Sequence, residues 1–141
     1  MSHTIRQVTA AVVQVSDEVG VLHRVLCVLR DAGVNMLAIA SQRRQGMALM
    51  AIPEDMMAVR DLAGQRGVHM QTRQVFLIEG DDRVGALCEI TKAIADAGIS
   101  IEDVAALSAS RRYAAVLTFA DADLEAAAKA LGLDEAEEGE S

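Results

Sequence analysis

The alternation of apolar and polar positions in the first half of the chain predicts a β-α-β-β-α-β order of elements. Residues 9–15 form a β-branched, apolar run that is typical of a buried strand. A helix follows up to Gly33, with an apolar stripe at Val21, Leu22, Val25, Leu26, Leu29 and Ala32. The pattern then predicts strands at residues 34–41, 47–52 and 68–72, a turn at 42–46, and a helix from Pro53 that stops at Gly64.

The second half of the chain repeats the first. Asp82-Arg83-Val84-Gly85 lies 65 residues after Asp17-Glu18-Val19-Gly20, and in both copies the following helix ends in Asp-Ala-Gly. Strands are predicted at residues 75–79, 99–108 and 113–120, and helices at 87–97 and 122–131, with Asp121 as a cap. Beyond Arg43 the matching offset rises to 68 and aligns Gly64 with Gly132, which predicts three extra residues within 102–110.

The two copies predict an α+β fold of two ferredoxin-like βαββαβ repeats, each an antiparallel sheet with its helices on one face. We expect residues 1–72 to form the first repeat, 73–133 the second, and 134–141 an acidic disordered tail. The second repeat lacks its last strand, which leaves a sheet edge open. Residues 4–8 are also strand-like, and we hypothesise that the N-terminal segment occupies that edge, so that removing residues 1–7 destabilises the second repeat.

Composition excludes several classes of function. The net charge is −8, but five acidic residues fall in the last eight positions, and the body carries no basic stripe of the kind that binds nucleic acid or anionic membrane. Two Phe, one Tyr and no Trp argue against base stacking. Cys27 and Cys88 do not make a disulfide framework, and we expect a reduced, cytoplasmic protein without a membrane span.

Candidate catalytic and metal chemistry is sparse. His3, His23 and His69 are scattered without ligand-spaced partners, so no metal site is predicted. Neither a Walker loop nor a GxGxxG motif is present, no triad-like set accompanies His23 or Cys88, and we predict neither cofactor nor enzyme activity. The methionines could form an adaptable binding surface or fill a core poor in aromatic residues, and the latter is favoured.

Both repeats place acidic residues and a glycine between a strand and the start of a helix. The free amides and the dipole of such a helix N-terminus favour a carboxylate, and Gly20 and Gly85 permit close approach of a ligand or a neighbouring chain. The alternative is structural, since Asp17 and Asp82 could be helix caps. One such loop is weak evidence for a binding site, and its repetition in both copies makes that evidence stronger.

These residues resemble the signature of the ACT domain family: a strand, an acidic loop ending in glycine, leucine two residues later, and a helix ending Ala-Gly-Val/Ile-Asn. The matches are D-E-V-G-V-L with D-A-G-V-N-M, and D-D-R-V-G-A-L with D-A-G-I-S-I. The chain departs from that signature at Val19 and Val84, where the family prefers proline, and at Ser100, where it often has asparagine.

The resemblance implies a tandem ACT protein, homodimeric and non-catalytic, that binds a small amino acid where ACT units pair and signals to a partner in trans. The ligand-binding positions that it implies are Asp17, Glu18, Val19, Gly20, Val21, Leu22, Asn35, Met36, Asp82, Arg83, Val84, Gly85, Ala86, Leu87 and Ser100. Asn35 makes the first repeat the better candidate. The alternatives are a regulatory or scaffolding subunit whose repeats only mediate assembly with an enzyme of amino-acid metabolism and, more distantly, an enzyme of ferredoxin-like fold.

Overall fold

The computed structural model describes residues 3–43 and 46–133, so the predicted acidic tail lies outside the described residues. The strands are β1 (His3–Val15), β2 (Met36–Arg43), β3 (Met47–Pro53), β4 (Gln71–Asp81), β5 (Asp103–Ala109) and β6 (Arg112–Thr118). The helices are α1 (Val21–Asp31), α2 (Met56–Gln65), α3 (Ala86–Asp96) and α4 (Leu124–Ala130), the last preceded by a 3-10 turn at Asp121–Asp123. Within the described ranges, no helix combines the length and the apolar character needed to cross a membrane.

The chain divides into two compact units. The first unit is Thr9–Arg73, and the second unit is the chain from Gln74 onward together with its beginning through Val8. Strands β1 and β4 therefore each give residues to both units.

The two strands predicted at residues 68–72 and 75–79 are wrong as separate elements, because β4 runs without a break from Gln71 to Asp81. The polar residues between them continue the extended backbone, and no glycine or proline interrupts it there.

In the first unit, β3 lies between β2 and β1, and the start of β4 lies beside β1. Both pairings of β3 are antiparallel, with Ala51 opposite Ala11 on β1 and opposite Ile39 on β2. Helices α1 and α2 bury Leu29 and Val59 against Ala11. This is the predicted ferredoxin-like arrangement, α+β with the helices on one face of an antiparallel sheet.

In the second unit, β6 lies between β5 and β4, and the beginning of β1 lies on the other side of β4. Ile5 packs against the core of this unit, and the Gln7 amide donates to Oε1 of Gln74 at 3.5 Å. The beginning of β1 thus lies beside β4 in the second unit, just as the start of β4 lies beside β1 in the first unit. Our hypothesis about the open sheet edge placed it there.

The second unit has a filled core. Phe76 and Phe119 are fully buried and meet edge to face, with ring centroids 5.6 Å apart and an interplanar angle of 75°. Around them, α3 contributes Ile90 and Ile94, and α4 contributes Ala127. Each buried Phe side chain removes about 150–250 Å² from water, more than any aliphatic residue of this core.

The predicted insertion of three residues in the second copy is wrong. Gly67 and Gly132 take φ values of 66° and 85° just after α2 and α4. The residue that follows each glycine donates back into its helix, from Val68 to Ala63 at 2.9 Å and from Leu133 to Ala128 at 2.8 Å. Gly67, and not Gly64, therefore corresponds to Gly132, and the offset of 65 is restored at the helix ends. Gly64 lies inside α2, where a helix tolerates glycine. The left-handed residue that ends a helix strongly prefers to be glycine, and Gly67 is that residue in α2.

Other predicted details also shift. Asp121 lies within the 3-10 turn, and among the described residues its side chain caps no helix. Leu22 and Leu26 were placed in the buried stripe of α1, yet each is 40% exposed. Strand β5 begins at Asp103, four residues later than predicted, because residues 99–102 serve as the approach from α3.

Candidate functional site

Both units place a left-handed glycine at the start of their first helix. Gly20 precedes α1 with φ 88°, and Gly85 precedes α3 with φ 84°. Among the described residues, no side chain caps either helix, so the alternative that Asp17 and Asp82 are caps is wrong. The first-turn N–H groups of both helices therefore lack the side-chain acceptor that normally satisfies them.

The two aspartates instead tie their loops to a neighbouring strand. Arg43, at the end of β2, donates to Oδ1 of Asp17 at 2.9 Å. Ser108, on β5, donates its hydroxyl to Oδ2 of Asp82 at 2.6 Å, and the Asp82 N–H donates to the carbonyl of Arg111 at 2.9 Å. The first loop thus has its carboxylate paired with a cation, whereas the carboxylate of the second loop is held by a neutral hydroxyl.

The loop tips are exposed. Val19 and Val84 are 100% and 101% exposed, so neither side chain contributes to the core of its unit. Glu18 accepts a hydrogen bond from the Ser16 hydroxyl at 3.0 Å and lies 3.8 Å from the Arg24 guanidinium. The two tips are alike in exposure even though their acidic neighbours differ.

The predicted first-copy residues do not form one open site. The Asn35 side-chain amide donates to Oε1 of Glu54 at 3.0 Å, and the backbone carbonyl of Asn35 accepts from the Glu54 N–H at 3.0 Å. Asn35 therefore ties the entry of β2 to Glu54, two residues before α2. Val21 is buried as the first residue of α1, and Met36 packs against the first-unit core.

The predicted second-copy residues do come together. A depression of about 450 Å³ in the second unit is lined by Asp82, Arg83, Gly85, Ala86, Leu87, Cys88, Ala106, Leu107, Ser108 and Tyr113. Five of these belong to the predicted set. Ser100, also in that set, lies at a different depression with Thr91 and Lys92. Sequence reasoning missed Cys88, Ser108 and Tyr113, although the one tyrosine of an aromatic-poor chain was a usable signal.

Tyr113 is the unusual member of this depression. Its side chain sits on β6 and is 8% exposed, and its hydroxyl has no hydrogen-bond partner within the part of the chain that the structure describes. Burial raises the pKa of Tyr113, the Arg83 guanidinium opposes that rise, and the Glu89 carboxylate adds to it. A buried hydroxyl without a partner is costly, so its presence needs an explanation.

Arg83 and Glu89 form a fork at the edge of the depression. The guanidinium donates twice to the Glu89 carboxylate, at 2.7 and 2.9 Å. This hydrogen bonding raises the pKa of Arg83 and lowers the pKa of Glu89, and the charge attraction acts in the same direction. Both side chains are largely exposed, so the pair positions charge beside the depression and adds little stability.

Metal binding finds no support in the described residues, where no three His, Cys, Asp or Glu side chains cluster. Cys27 lies 3.5 Å from Nε2 of His23 on α1, but these two groups alone make no ligand set. The predicted site residues that the structure brings together are those around the start of α3.

Comparison with family models finds a match over part of the second half of the chain. Residues 74–132 match the model of the ACT domain family. No sequence among the curated proteins matches the chain.

Several solved structures share the fold of nearly the whole chain. Protein BT0572 from Bacteroides thetaiotaomicron superposes with a TM-score of 0.80 at 16% identity, over 90% of this chain and 88% of its own. Aspartokinase alpha and beta subunits give a TM-score of 0.63 at 17% identity, over 93% and 95%. The ligand-free regulatory subunit of aspartate kinase from Thermus thermophilus gives 0.59 at 16%, over 93% and 95%. At this identity the likeness establishes the fold, which is the α+β ACT-type fold.

Proposed function

We propose that this chain is a non-catalytic regulatory protein with two ACT-type units in tandem, which binds a small amino acid and signals to a partner in trans. One solved structure of similar fold and nearly equal length is described as a regulatory subunit of aspartate kinase, which supports a separate regulatory chain acting on an enzyme. The observation that carries the proposal is the depression at the start of α3, where predicted ligand positions meet the unpartnered Tyr113 hydroxyl.

Each part of an amino acid has a complementary group at this depression. The α-carboxylate fits the uncapped first-turn N–H groups of α3, those of Leu87 and Cys88, aided by the helix dipole. The Asp82 carboxylate, which is held by a hydroxyl and not by a cation, can accept from the α-ammonium. The Tyr113 hydroxyl gains the hydrogen bond that it lacks.

The first unit is the weaker candidate for the ligand. Its loop carboxylate, Asp17, is already neutralised by Arg43, and the Asn35 amide is occupied by Glu54. A ligand in the first unit has to break both interactions. In the second unit it supplies the hydrogen bond that the Tyr113 hydroxyl lacks. We therefore place the primary site in the second unit.

Thermal melting in the presence of each of the twenty amino acids tests this function. A ligand present at 100 times its dissociation constant should stabilise the fold by about 2.7 kcal/mol. We expect one or a few small amino acids to raise the melting temperature of the wild-type protein. If none does, the sensing function is refuted and the assembly function described below is favoured.

Two variants locate the site. Tyr113→Phe should lose most of the ligand-induced shift, because it removes the hydroxyl and leaves the ring in place. Asn35→Ala, in the first unit, should retain the shift. The reverse pattern, with loss in Asn35→Ala and retention in Tyr113→Phe, assigns the ligand to the first unit.

A second candidate function, assembly alone, is favoured by the exposed strand β5. It ends the strand order of the second unit, all seven of its residues are exposed, and Val104 and Leu107 are 55% and 71% exposed. An open apolar edge strand is a template for pairing with another chain. Leu107→Lys should make a homodimer or an enzyme complex dissociate in analytical ultracentrifugation, with Lys92→Gln on α3 as the control.

A further inference from the structure

The first unit contains an apolar cavity of about 420 Å³ between its two helices and its sheet. Side chains from β1, β2, β3, α1 and α2 surround it, and every lining residue belongs to the first unit. They are Ala11, Val13, Val15, Val21, Arg24, Val25, Val28, Leu29, Met36, Ile39, Leu49, Ala51, Val59, Leu62, Ala63, Arg66, Val68 and Met70. This volume lies in the range of pockets that hold small molecules.

The cavity has a specific origin in the strand register. Ala11 lies nine residues before Gly20 and faces Ala51 across the β1–β3 ladder. The equivalent position in the second unit, nine residues before Gly85, is Phe76, which faces Leu117. Two alanines thus stand where the other unit has a Phe and a Leu, and nothing else in the described first unit fills the space. An unfilled apolar space forfeits dispersion contacts that an apolar occupant would restore.

The polar groups of the lining are both cationic. Arg24, on α1, and Arg66, the residue after the last turn of α2, both border the cavity. Arg24 has a distant partner in Glu18, at 3.8 Å, and within the described residues Arg66 has no ion pair. None of the described lining residues is acidic. An apolar cavity bordered by two arginines, and by no acidic residue among those described, complements a molecule with an apolar body and one anionic head.

We propose that this cavity is a binding site for an aliphatic carboxylate, with the hydrocarbon body among the valines and leucines and the carboxylate on Arg24 and Arg66. The site is separate from the depression at the start of α3, since the two share no lining residue. It does not depend on the function proposed above.

Decanoate, kept below the concentration at which it forms micelles, is a suitable probe. Methyl resonances of Val25, Leu62 and Val59 should shift on titration, while those of Ile90 and Ile94 in the second unit stay in place. The melting temperature should rise by several degrees at saturation. Decanol, with the same tail and no charge, and decylamine, with a cationic head, should bind at least tenfold more weakly.

Two variants test the residues. Arg66→Gln is exposed and should fold normally, and we expect it to weaken decanoate binding about tenfold or more. Ala63→Phe places a ring in the cavity and should abolish the methyl shifts. Lys92→Gln, on the exposed face of α3, is the control and should bind like the wild type.

Three results overturn the proposal. The first is the absence of methyl shifts at the cavity on adding decanoate. The second is a shift of equal size in both units, which marks non-specific association. The third is binding that Arg66→Gln or removal of the carboxylate leaves unchanged, which excludes the anionic head.

Discussion

Phe76 and Ala11 stand at equivalent points of the two units, and the cores around them differ accordingly. Phe76 is fully buried, meets Phe119 edge to face and faces Leu117 across the sheet. Ala11 faces Ala51 and borders a cavity of about 420 Å³. Both units share the order β-α-β-β-α, and they differ in whether the remaining strand comes after it, as in the first unit, or before it, as in the second. The comparison teaches that the pattern of apolar positions sets the layers, while side-chain volume decides whether the layers are filled.

The largest effect is expected from removing the ring that distinguishes the filled core. Phe76→Ala should lower the free energy of unfolding by about 3–5 kcal/mol, because it creates a new cavity among well-packed neighbours. Leu29→Ala in the first unit should cost only about 2 kcal/mol, because Leu29 already borders a void. Urea unfolding measures both. Equal losses would contradict the difference in packing.

The same chemical change should have opposite signs in the two units. Ala115→Leu in the second unit overfills a buried position on β6 and should destabilise by about 1–3 kcal/mol. Ala51→Leu in the first unit points into the cavity and should stabilise by about 1 kcal/mol. Urea midpoints check both values, and destabilisation by Ala51→Leu would show that the cavity cannot accept added volume.

The N-terminal segment should matter to the second unit through one side chain. Ile5 packs on the second-unit core, so Ile5→Ala is expected to cost about 1–2 kcal/mol. The adjacent exposed Thr4 is the control, and Thr4→Ala should change stability by less than about 0.5 kcal/mol. Hydrogen exchange at β4 amides gives a second readout. Equal effects of the two substitutions would refute the role of this segment.

The buried Tyr113 hydroxyl is a polar group without a hydrogen-bond partner, among the described residues, in the otherwise filled core. Tyr113→Phe should stabilise the ligand-free protein by about 1 kcal/mol, because it removes a buried hydroxyl without a partner.

Burial raises the pKa of Tyr113 in the folded state, so the unfolded chain loses the phenolic proton first as pH rises. The tyrosine therefore lowers stability above a pH of about 10, which is the ordinary tyrosine pKa. Urea unfolding from neutral to alkaline pH should show a smaller alkaline loss in Tyr113→Phe than in the wild type.

Much of the fold could be predicted from residue patterns, and the candidate site only in part. The loops at Gly20 and Gly85 were identified because two copies of a short motif reinforce each other. Tyr113 and Ser108 were not identified, because they reach Asp82 and Gly85 across strands that the sequence separates by more than twenty residues. The alignment at Gly64 failed because a glycine inside a helix and a glycine that ends one look alike in sequence.

The sequence by itself determined the duplication, most of the order of elements and the glycine loops before both helices, since these follow from local periodicity and from a repeated motif. Tertiary structure decided which strand closes each unit, what Asp17 and Asp82 bind, and where space remains unfilled. Those outcomes depend on strand register and on which side chains meet across it. The pairing of Ala11 with Ala51, and of Phe76 with Leu117, exists only once the strands are side by side.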